Sequence, residues 1–352
     1  MITAKHWGGR VLLSWLPVVV MALVAVVDLT AGPGVGLLPL VSLGPAFAGL
    51  IGTWRRPALI GTAALLLCAG LGVYDGLFET RRGWTAMASV AGVTLAAVAA
   101  AVTRGLREAE LASVRSIAEV AQRVLLRPVP RSAGPCQVAV SYTSALAEAR
   151  IGGDLYEVVA SPYGVRVIVG DVQGKGLAAV ETAALVLGAF REAAYDEPDL
   201  VALAARLERS VSRDMGEERF VTAVLAEIQE GVAVLLSCGH PAPMHVGSDG
   251  SVDFPQPPVH APPLGLGLRG GEDPQPYRIG FVPGEQLLFY TDGVSEARNA
   301  DGAFYPLRER AWLLRARDID SALAALREDV VDHVRGPVED DAAMLLLRYQ
   351  QQ

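Results

Sequence analysis

The chain has 352 residues, of which 51% are hydrophobic, and a formal net charge of −8 at pH 7. Its mean hydropathy of +0.34 is high for a soluble enzyme, which indicates segments that leave water. An acidic chain without a basic stripe is a poor partner for nucleic acid, and three cysteines without a CxxC pair argue against a disulfide framework.

Four uncharged runs dominate the first hundred residues, at 11–27, 29–54, 57–74 and 83–103. Each is long enough, or nearly so, to cross about 30 Å of hydrocarbon at 1.5 Å per residue. The sequence therefore predicts an all-α domain of four transmembrane helices over residues 1–103. Proline at positions 33, 39 and 45 is expected to shorten or kink the second helix.

Basic residues flank these runs unevenly. Lys5 and Arg10 precede the first run, Arg55 lies between the second and third, and Arg104 and Arg107 follow the fourth. By the positive-inside rule, both termini are cytoplasmic in a multi-pass protein of the cell membrane.

Residues 104–130 predict a linker helix. Apolar residues recur there at spacings of three and four, at Leu111, Val114, Ala118, Ala121 and Leu125. The spacing fits a short coiled coil, which would give a homodimer through the linker helix, and equally a helix packed on its own domain. Both interpretations stay open, and the prolines at 128 and 130 end the helix.

Residues 131–352 change to short strands and turns with grouped helices. Strand-like runs include CQVAVSYT, LYEVVA, VRVIVGDV, FVTAVLAEI, VAVLLSCG, QLLFYTD and AAMLLLRY, and helices are expected at 175–194, 198–215 and within 307–334. Strands in hairpin-like succession, with helices grouped between them, predict an α+β fold.

Acidic residues stand beside several of these strands. Asp154 follows Gly152-Gly153, Asp171 follows Gly170, Asp292 lies in Thr-Asp-Gly, and Asp340-Asp341 open the last strand. Each could be an ordinary turn or cap residue. Together they are better explained by shared divalent cations, because isolated ionised carboxylates are costly to bury. An all-oxygen ligand set favours Mg²⁺ or Mn²⁺ over zinc.

Other catalytic motifs are absent or incomplete in the sequence. Residues 170–175 lack the spacing and the Ser or Thr of a phosphate loop, and neither GxSxG nor HExxH occurs. His240, in Cys-Gly-His-Pro, is interpreted as a structural turn residue. The run Arg150-Ile-Gly-Gly-Asp resembles the loop of membrane-anchored diguanylate cyclases, but Leu155 stands where that loop needs Glu. A non-catalytic sensing module is a further alternative.

Seven ordered motifs carry a more specific resemblance: RIGGDLYEVV, VGDVQGKGLAAVETAAL, RFVTAVLAEI, CGHPAPMHV, PPLGLGL, GEQLLFYTDGVSEARNADGAFY and EDDAAMLLLRY. In order and spacing they resemble the metal-dependent serine/threonine protein phosphatase (PPM) family. The resemblance is to its bacterial branch, typified by the stage II sporulation protein E phosphatase and the phosphatases that regulate sigma factors. It covers about residues 115–352.

The resemblance implies an αββα sandwich of two antiparallel sheets flanked by helices. It places the metal ligands at Asp154, Asp171, Asp292 and Asp340, with the Val172 backbone carbonyl as a further ligand and Asp171 bridging two ions. Two cations, Mn²⁺ or Mg²⁺, would activate a bridging hydroxide to attack phosphorus. Asp154, Asp171 and Asp292 are thus the expected catalytic residues.

The same branch suggests the substrate. It implies a membrane-anchored phosphatase, held in the lipid bilayer, that hydrolyses phosphoserine or phosphothreonine. The expected phosphoprotein is an anti-sigma-factor antagonist of the sulphate-transporter/antagonist (STAS) type. No residue in the sequence identifies that partner directly.

Overall fold

The computed structural model describes residues 3–31, 37–143, 153–214, 219–266, 273–335 and 341–350. Contacts divide the chain into two units, Met1–Ser113 and Val114–Gln352, and the boundary falls inside one long helix. The domain limits expected from the sequence, at residues 103 and 130, stay predictions.

The first unit is all-helical. Its elements are α1 (Thr3–Ala31), a 3₁₀ helix (Leu38–Ser42), α2 (Leu43–Ala48), α3 (Arg55–Tyr74), a second 3₁₀ helix (Leu77–Glu79) and α4 (Arg81–Leu125). Within the part of the chain that the structure describes, two helical stretches are long and apolar enough to cross a membrane, Arg55–Tyr74 and Arg81–Ser113. Two shorter apolar stretches are Ser14–Thr30 and Leu38–Ala48.

The prediction of four spanning helices is therefore not confirmed. Over the described residues 37–54, the predicted second helix is broken into the 3₁₀ helix (Leu38–Ser42) and α2 (Leu43–Ala48), so it is shortened, as the prolines predict. The physical reason is proline, which removes a backbone donor and restricts φ. Pro39 lies in the first turn of the 3₁₀ helix and Pro45 lies inside α2, which has only six residues. Pro33 lies outside the described residues.

The short helical segment Leu38–Ala48 still connects the two ends of this unit, one marked by arginines and the other by aspartates. At one end, Arg104 donates hydrogen bonds to the carbonyls of Gly49 and Gly52, at 2.9 and 3.0 Å. At the other end, Asp28 lies beside Asp75 and the backbone of Leu37. The chain thus runs from the aspartate end to the arginine end between residues 37 and 52, even though the segment is short.

The predicted linker helix is the continuation of α4, which runs without a break from Arg81 to Leu125. No proline occurs between residues 81 and 125, so nothing in the sequence interrupts the helical hydrogen bonds at the predicted boundary after residue 103. The helix ends before Pro128, as the sequence predicts.

The second unit holds all the strands that the structure describes: β1 (Ser132–Ala133), β2 (Cys136–Thr143), β3 (Leu155–Ser161), β4 (Gly164–Val172), β5 (Val221–Gln229), β6 (Val232–Cys238), β7 (Met244–Val246), β8 (Val252–Asp253), β9 (Tyr277–Gly280), β10 (Gln286–Tyr290) and β11 (Ala342–Tyr349). Its remaining helices are α5 (Leu177–Asp196), α6 (Leu200–Asp214), α7 (Asp292–Ser295), α8 (Leu307–Arg310), a 3₁₀ turn (Ala311–Arg315) and α9 (Ile319–Val334).

The strands form two antiparallel sheets. The first sheet has the order β1-β2-β11-β10-β7-β8 and the second β3-β4-β5-β6-β9. One apolar cluster, including Val167, Ala226, Phe289 and Leu345, lies between the sheets. Helices α5 and α6 cover the second sheet, and α9 covers the first. The predicted α+β sandwich is confirmed for this unit.

Candidate functional site

Each sheet brings two aspartates to one cavity. Asp154 directly precedes β3 and Asp171 lies near the end of β4, while Asp292 follows β10 and Asp341 directly precedes β11. All four line a cavity of about 420 Å³. The second sheet thus contributes Asp154 and Asp171, and the first contributes Asp292 and Asp341.

Strand register explains the pairing within the second sheet. Leu155 lies opposite Gly170 in the antiparallel β3–β4 pair, so the next residue on each strand brings Asp154 beside Asp171. Beyond the paired residues, the Val172 amide donates to the Gly153 carbonyl at 3.2 Å. Val172 lines the same cavity as the two carboxylates, and its role as a backbone ligand stays a prediction.

Two glycines permit this close approach. A Cβ on Gly153 would lie 2.4 Å from the Val172 carbonyl oxygen. A Cβ on Gly293 would lie 1.9 Å from the carbonyl oxygen of Asp341. Both separations are far below van der Waals contact, so any side chain at either position would push apart the chain segments that carry the carboxylates.

Asp154 is the most buried of the carboxylates, with only 2% of its surface exposed. Burial raises its pKa well above the usual range, and the negative charges of Asp171, Asp341 and Asp292 raise the pKa further. A hydrogen bond from Thr291 acts in the opposite direction. An ionised Asp154 is therefore costly unless a positive charge joins the cluster.

Thr291 connects the two sheets at this point. It is fully buried, and its hydroxyl donates to Asp154 Oδ2 at 2.9 Å and accepts from the Ala343 amide at 2.9 Å. Its own amide donates to the Ala343 carbonyl at 3.1 Å. The sequence pattern Thr-Asp-Gly marked this residue only as the neighbour of Asp292, and its partner Asp154 lies 137 positions away.

Most of the predicted ligands converge. Asp154, Asp171, Val172 and Asp292 line the same cavity, whereas Asp340 lies outside the described residues. Asp341, which the sequence placed next to the ligand, is buried and lines the cavity. Within the described ranges, no three His, Cys, Asp or Glu side chains form a ready-made metal site. The assignment of ligands stays a prediction.

The donor set nevertheless suits divalent cations. The cavity offers carboxylate oxygens from both sheets and a backbone carbonyl, which are the ligands that Mg²⁺ and Mn²⁺ prefer. A cation would also offset the burial and the mutual repulsion that raise the pKa of Asp154. The residues present therefore fit the ions that the fold implies.

Known proteins match this architecture. The model of the stage II sporulation protein E (SpoIIE) family matches residues 161–350, more than half of the chain. The SiaA PP2C domain of Pseudomonas aeruginosa superposes with a TM-score of 0.58 at 17% identity, over 70% of this chain and 99% of that one.

Two further solved structures share the fold. The PP2C phosphatase domain and regulatory fragment of SpoIIE from Bacillus subtilis give a TM-score of 0.53 at 16% identity, over 62% of this chain and 64% of that one. The RsbU and RsbW domains of Rv1364c from Mycobacterium tuberculosis give a TM-score of 0.52 at 24% identity, over 62% of this chain. This chain spans only 61% of the Mycobacterium chain.

The cyclase alternative assigns no role to Asp292 and Asp341, which the structure brings to the same cavity as Asp154. The two-sheet sandwich, the sequence motifs and the family match all point to the same phosphatase family instead. The chain belongs to the stage II sporulation protein E (SpoIIE) family, with a PP2C-type phosphatase fold in its second unit.

Proposed function

We propose that this chain is a membrane-anchored, metal-dependent protein phosphatase that hydrolyses phosphoserine or phosphothreonine. The observation that carries the proposal is the convergence of aspartates from both sheets on one cavity, in a domain of the SpoIIE family. Buried like charges at strand ends have no structural advantage of their own. They are best explained as a cation site.

Asp154, Asp171, Asp292 and Asp340 would hold two divalent cations, Mn²⁺ or Mg²⁺, with help from the Val172 carbonyl. When bound, such cations polarise phosphate oxygens and lower the pKa of a water molecule. The protein holds the carboxylates in place for them: Thr291 orients Asp154.

The rim of the cavity can receive a phosphate group. Lys175 and Gln173 are exposed and line it just before the start of α5. A lysine ammonium attracts a phosphate dianion and steers it toward the carboxylate end of the cavity. A phosphorylated side chain on a protein surface could reach this open rim.

Cysteine chemistry is a poor alternative in this unit. Burial raises the pKa of the Cys136 and Cys238 thiols to about 12, so neither supplies a thiolate near neutral pH. A cysteine-based phosphatase needs that thiolate as its nucleophile. Attack by an activated water is therefore the better mechanism.

We further propose that the first unit anchors the protein in the cell membrane with its arginine end in the cytoplasm. Arg55, Arg56 and Arg104 lie at or beside that end, and Asp28 and Asp75 lie at the other. The positive-inside rule favours this orientation. It also puts the catalytic unit, which follows α4, in the cytoplasm.

The proposed substrate is a small anti-sigma-factor antagonist of the STAS type. Support comes from the family and from a structural neighbour that joins an RsbU domain to an RsbW domain. The proposal includes a homodimer through the linker, since Leu111, the first residue of the apolar seam on α4, is exposed. Apolar residues exposed on a helix favour a helical partner.

The test is phosphate release from a phosphoserine peptide by the full chain in detergent micelles. Release should require Mn²⁺ or Mg²⁺ and should stop when a chelator is added. Asp171→Asn should abolish release, since it removes one of the carboxylates that would hold the cations. The matched control is Asp332→Asn, an exposed position on α9, which should retain full activity. Release that continues in chelator, or in folded Asp171→Asn protein saturated with Mn²⁺, would contradict the proposal.

A further inference from the structure

His240 makes a hydrogen bond with each of its ring nitrogens. It follows β6 in the turn Gly239-His240, and only 8% of its surface is exposed. Nδ1 lies 3.0 Å from the Thr222 hydroxyl, and Nε2 lies 3.1 Å from the carbonyl oxygen of Tyr290. A carbonyl oxygen only accepts, so Nε2 carries the proton and Nδ1 accepts from Thr222.

These two partners belong to different sheets. Thr222 on β5 lies opposite Asp171 in the strand register, and because its single hydroxyl proton goes to His240, it is joined to Asp171 by the pairing of the two strands. Tyr290 is the last residue of β10 and precedes Asp292 by two positions. The imidazole thus connects the strand pair that carries Asp171 to the strand that leads into Asp292.

The turn that carries His240 is itself fixed. The Ser237 hydroxyl donates to the His240 carbonyl at 3.2 Å. Gly239 has a φ of +67°, and a Cβ there would lie 2.7 Å from the Pro263 ring, so the backbone before His240 has little freedom. Burial also lowers the pKa of His240 to about 4, which keeps the ring neutral near pH 7.

We infer that His240 is a positioning residue that fixes the spacing between the carboxylates of the two sheets, and hence the affinity of the cavity for divalent cations. It acts through Thr222 and Tyr290 without needing to touch a cation or a phosphate group. The inference rests on the proposed function only in taking Asp154, Asp171 and Asp292 to hold the cations.

Hydrogen bonds that fix the positions of metal ligands strongly affect metal affinity. Carboxylates that come from separate elements bind a cation well only if those elements keep a fixed separation. Loss of an outer partner typically weakens metal binding by about 10- to 100-fold. Each of the two bonds of His240 should therefore matter, because a connection between sheets fails when either end is lost.

The experiment measures the affinity of the full chain for Mn²⁺ by calorimetric titration, with thermal unfolding of the metal-free protein in parallel. His240→Gln can still donate to Tyr290 but no longer reaches Thr222, and His240→Asn does the reverse. Thr222→Val removes the hydroxyl at nearly constant shape. All three should weaken Mn²⁺ binding by about tenfold, the lower end of the loss seen when a group bonded directly to a ligand is removed, because His240 acts one step further from the ligands. The double variant, which combines His240→Gln with Thr222→Val, should bind Mn²⁺ no more weakly than the weaker-binding of the two single variants.

Two control variants match these changes. Thr182→Val removes a buried hydroxyl that donates to the Ala178 carbonyl of its own helix α5. His245→Gln changes a half-buried histidine on β7 whose ring lies 3.2 Å from Glu285. Neither control should change Mn²⁺ affinity, whatever small change it makes in the unfolding temperature.

The outcomes separate this inference from the proposed function. Wild-type affinity in Thr222→Val and both His240 variants would overturn the inference, as would equal losses in Thr182→Val. If His240→Gln fails to fold, the near-isosteric Thr222→Val still decides the question. A wild-type chain that binds Mn²⁺ without releasing phosphate contradicts the proposed function alone, because the affinity comparison still holds. A wild-type chain that binds no Mn²⁺ overturns both.

Discussion

Thr291 offers a direct test of how the two sheets hold the site together. Thr291→Val replaces the hydroxyl by a methyl group of nearly the same volume, so packing is retained. It removes the 2.9 Å bond to Asp154 and the 2.9 Å bond from the Ala343 amide. Both partners are buried, with 2% and 1% of their surfaces exposed, so water cannot easily replace the lost hydroxyl.

The expected cost follows from these two groups. A buried polar group left unpaired costs about 1–3 kcal/mol, and more if it is charged, so losing both bonds should cost about 3 kcal/mol in total. For a domain of about 240 residues, each kcal/mol shifts Tm by about 2–4 °C, which gives a fall of about 6–12 °C. The pKa of Asp154 should also rise further, because the Thr291 bond is what lowers it. Cation binding should therefore weaken as well.

The assay compares thermal unfolding of wild type, Thr291→Val and Thr291→Ser in the metal-free full chain, and then with saturating Mn²⁺. Thr291→Ser keeps the hydroxyl and loses one methyl group, so it should cost only about 1 kcal/mol. The decisive quantity is the difference between the two variants. If Thr291→Val is as stable as Thr291→Ser, the hydroxyl does not hold the sheets together at the site and the reasoning is refuted.

Three further predictions address the ligands, pH and orientation. Asp340→Asn should abolish phosphate release while Asp341→Asn reduces it less; the opposite ranking would assign the ligand to Asp341. Burial lowers the pKa of His240 from 6.5 to about 4, so the stability that its buried neutral ring contributes is fully present above pH 6.5. That contribution to the free energy of unfolding falls by about 2 kcal/mol on going to about pH 5. The stability of His240→Gln, measured against pH, should lack this fall. If its stability falls with pH as steeply as that of the wild type, His240 is not buried as a neutral ring. Reporter fusions after Gly9, within residues 75–82 and at the C-terminus should report cytoplasm, exterior and cytoplasm; an exterior C-terminus would exclude a cytoplasmic substrate.

Much of the fold could be predicted from periodicity. The apolar runs that predicted β2, β3, β4, β5, β6, β10 and β11 all form strands, because their side chains face a core on one side and helices or solvent on the other. The short strands β1, β7, β8 and β9 escaped prediction. Strands of two to four residues are too short to show an alternating pattern, and only their pairing with longer neighbours defines them.

The site could be predicted only where the chemistry is local. Asp154, Asp171 and Asp292 each stand in a Gly-Asp or Asp-Gly context after or before an apolar run. His240 and Thr291 lie in the motifs CGHPAPMHV and GEQLLFYTDGVSEARNADGAFY, but neither motif reveals their hydrogen-bond partners. The Tyr290 partner of His240 lies 50 positions away, and the Asp154 partner of Thr291 lies 137 positions away. Their roles depend on how the two sheets face each other, which no local pattern records.

The division of the carboxylates between sheets makes cation affinity a property of sheet packing. Burial and then the neighbouring negative charges raise the pKa of Asp154, so the metal-free carboxylates of the two sheets disfavour each other's ionised form at this edge. The apolar cluster around Phe289, together with the bonds of Thr291 and His240, opposes the repulsion between these charges. A ligand that binds only the folded state stabilises it by an amount that grows with the logarithm of its affinity, so cations should raise the stability of the whole second unit. Any change that alters the spacing of the sheets, even far from the aspartates, should then appear first as a change in cation affinity and only later as loss of the fold.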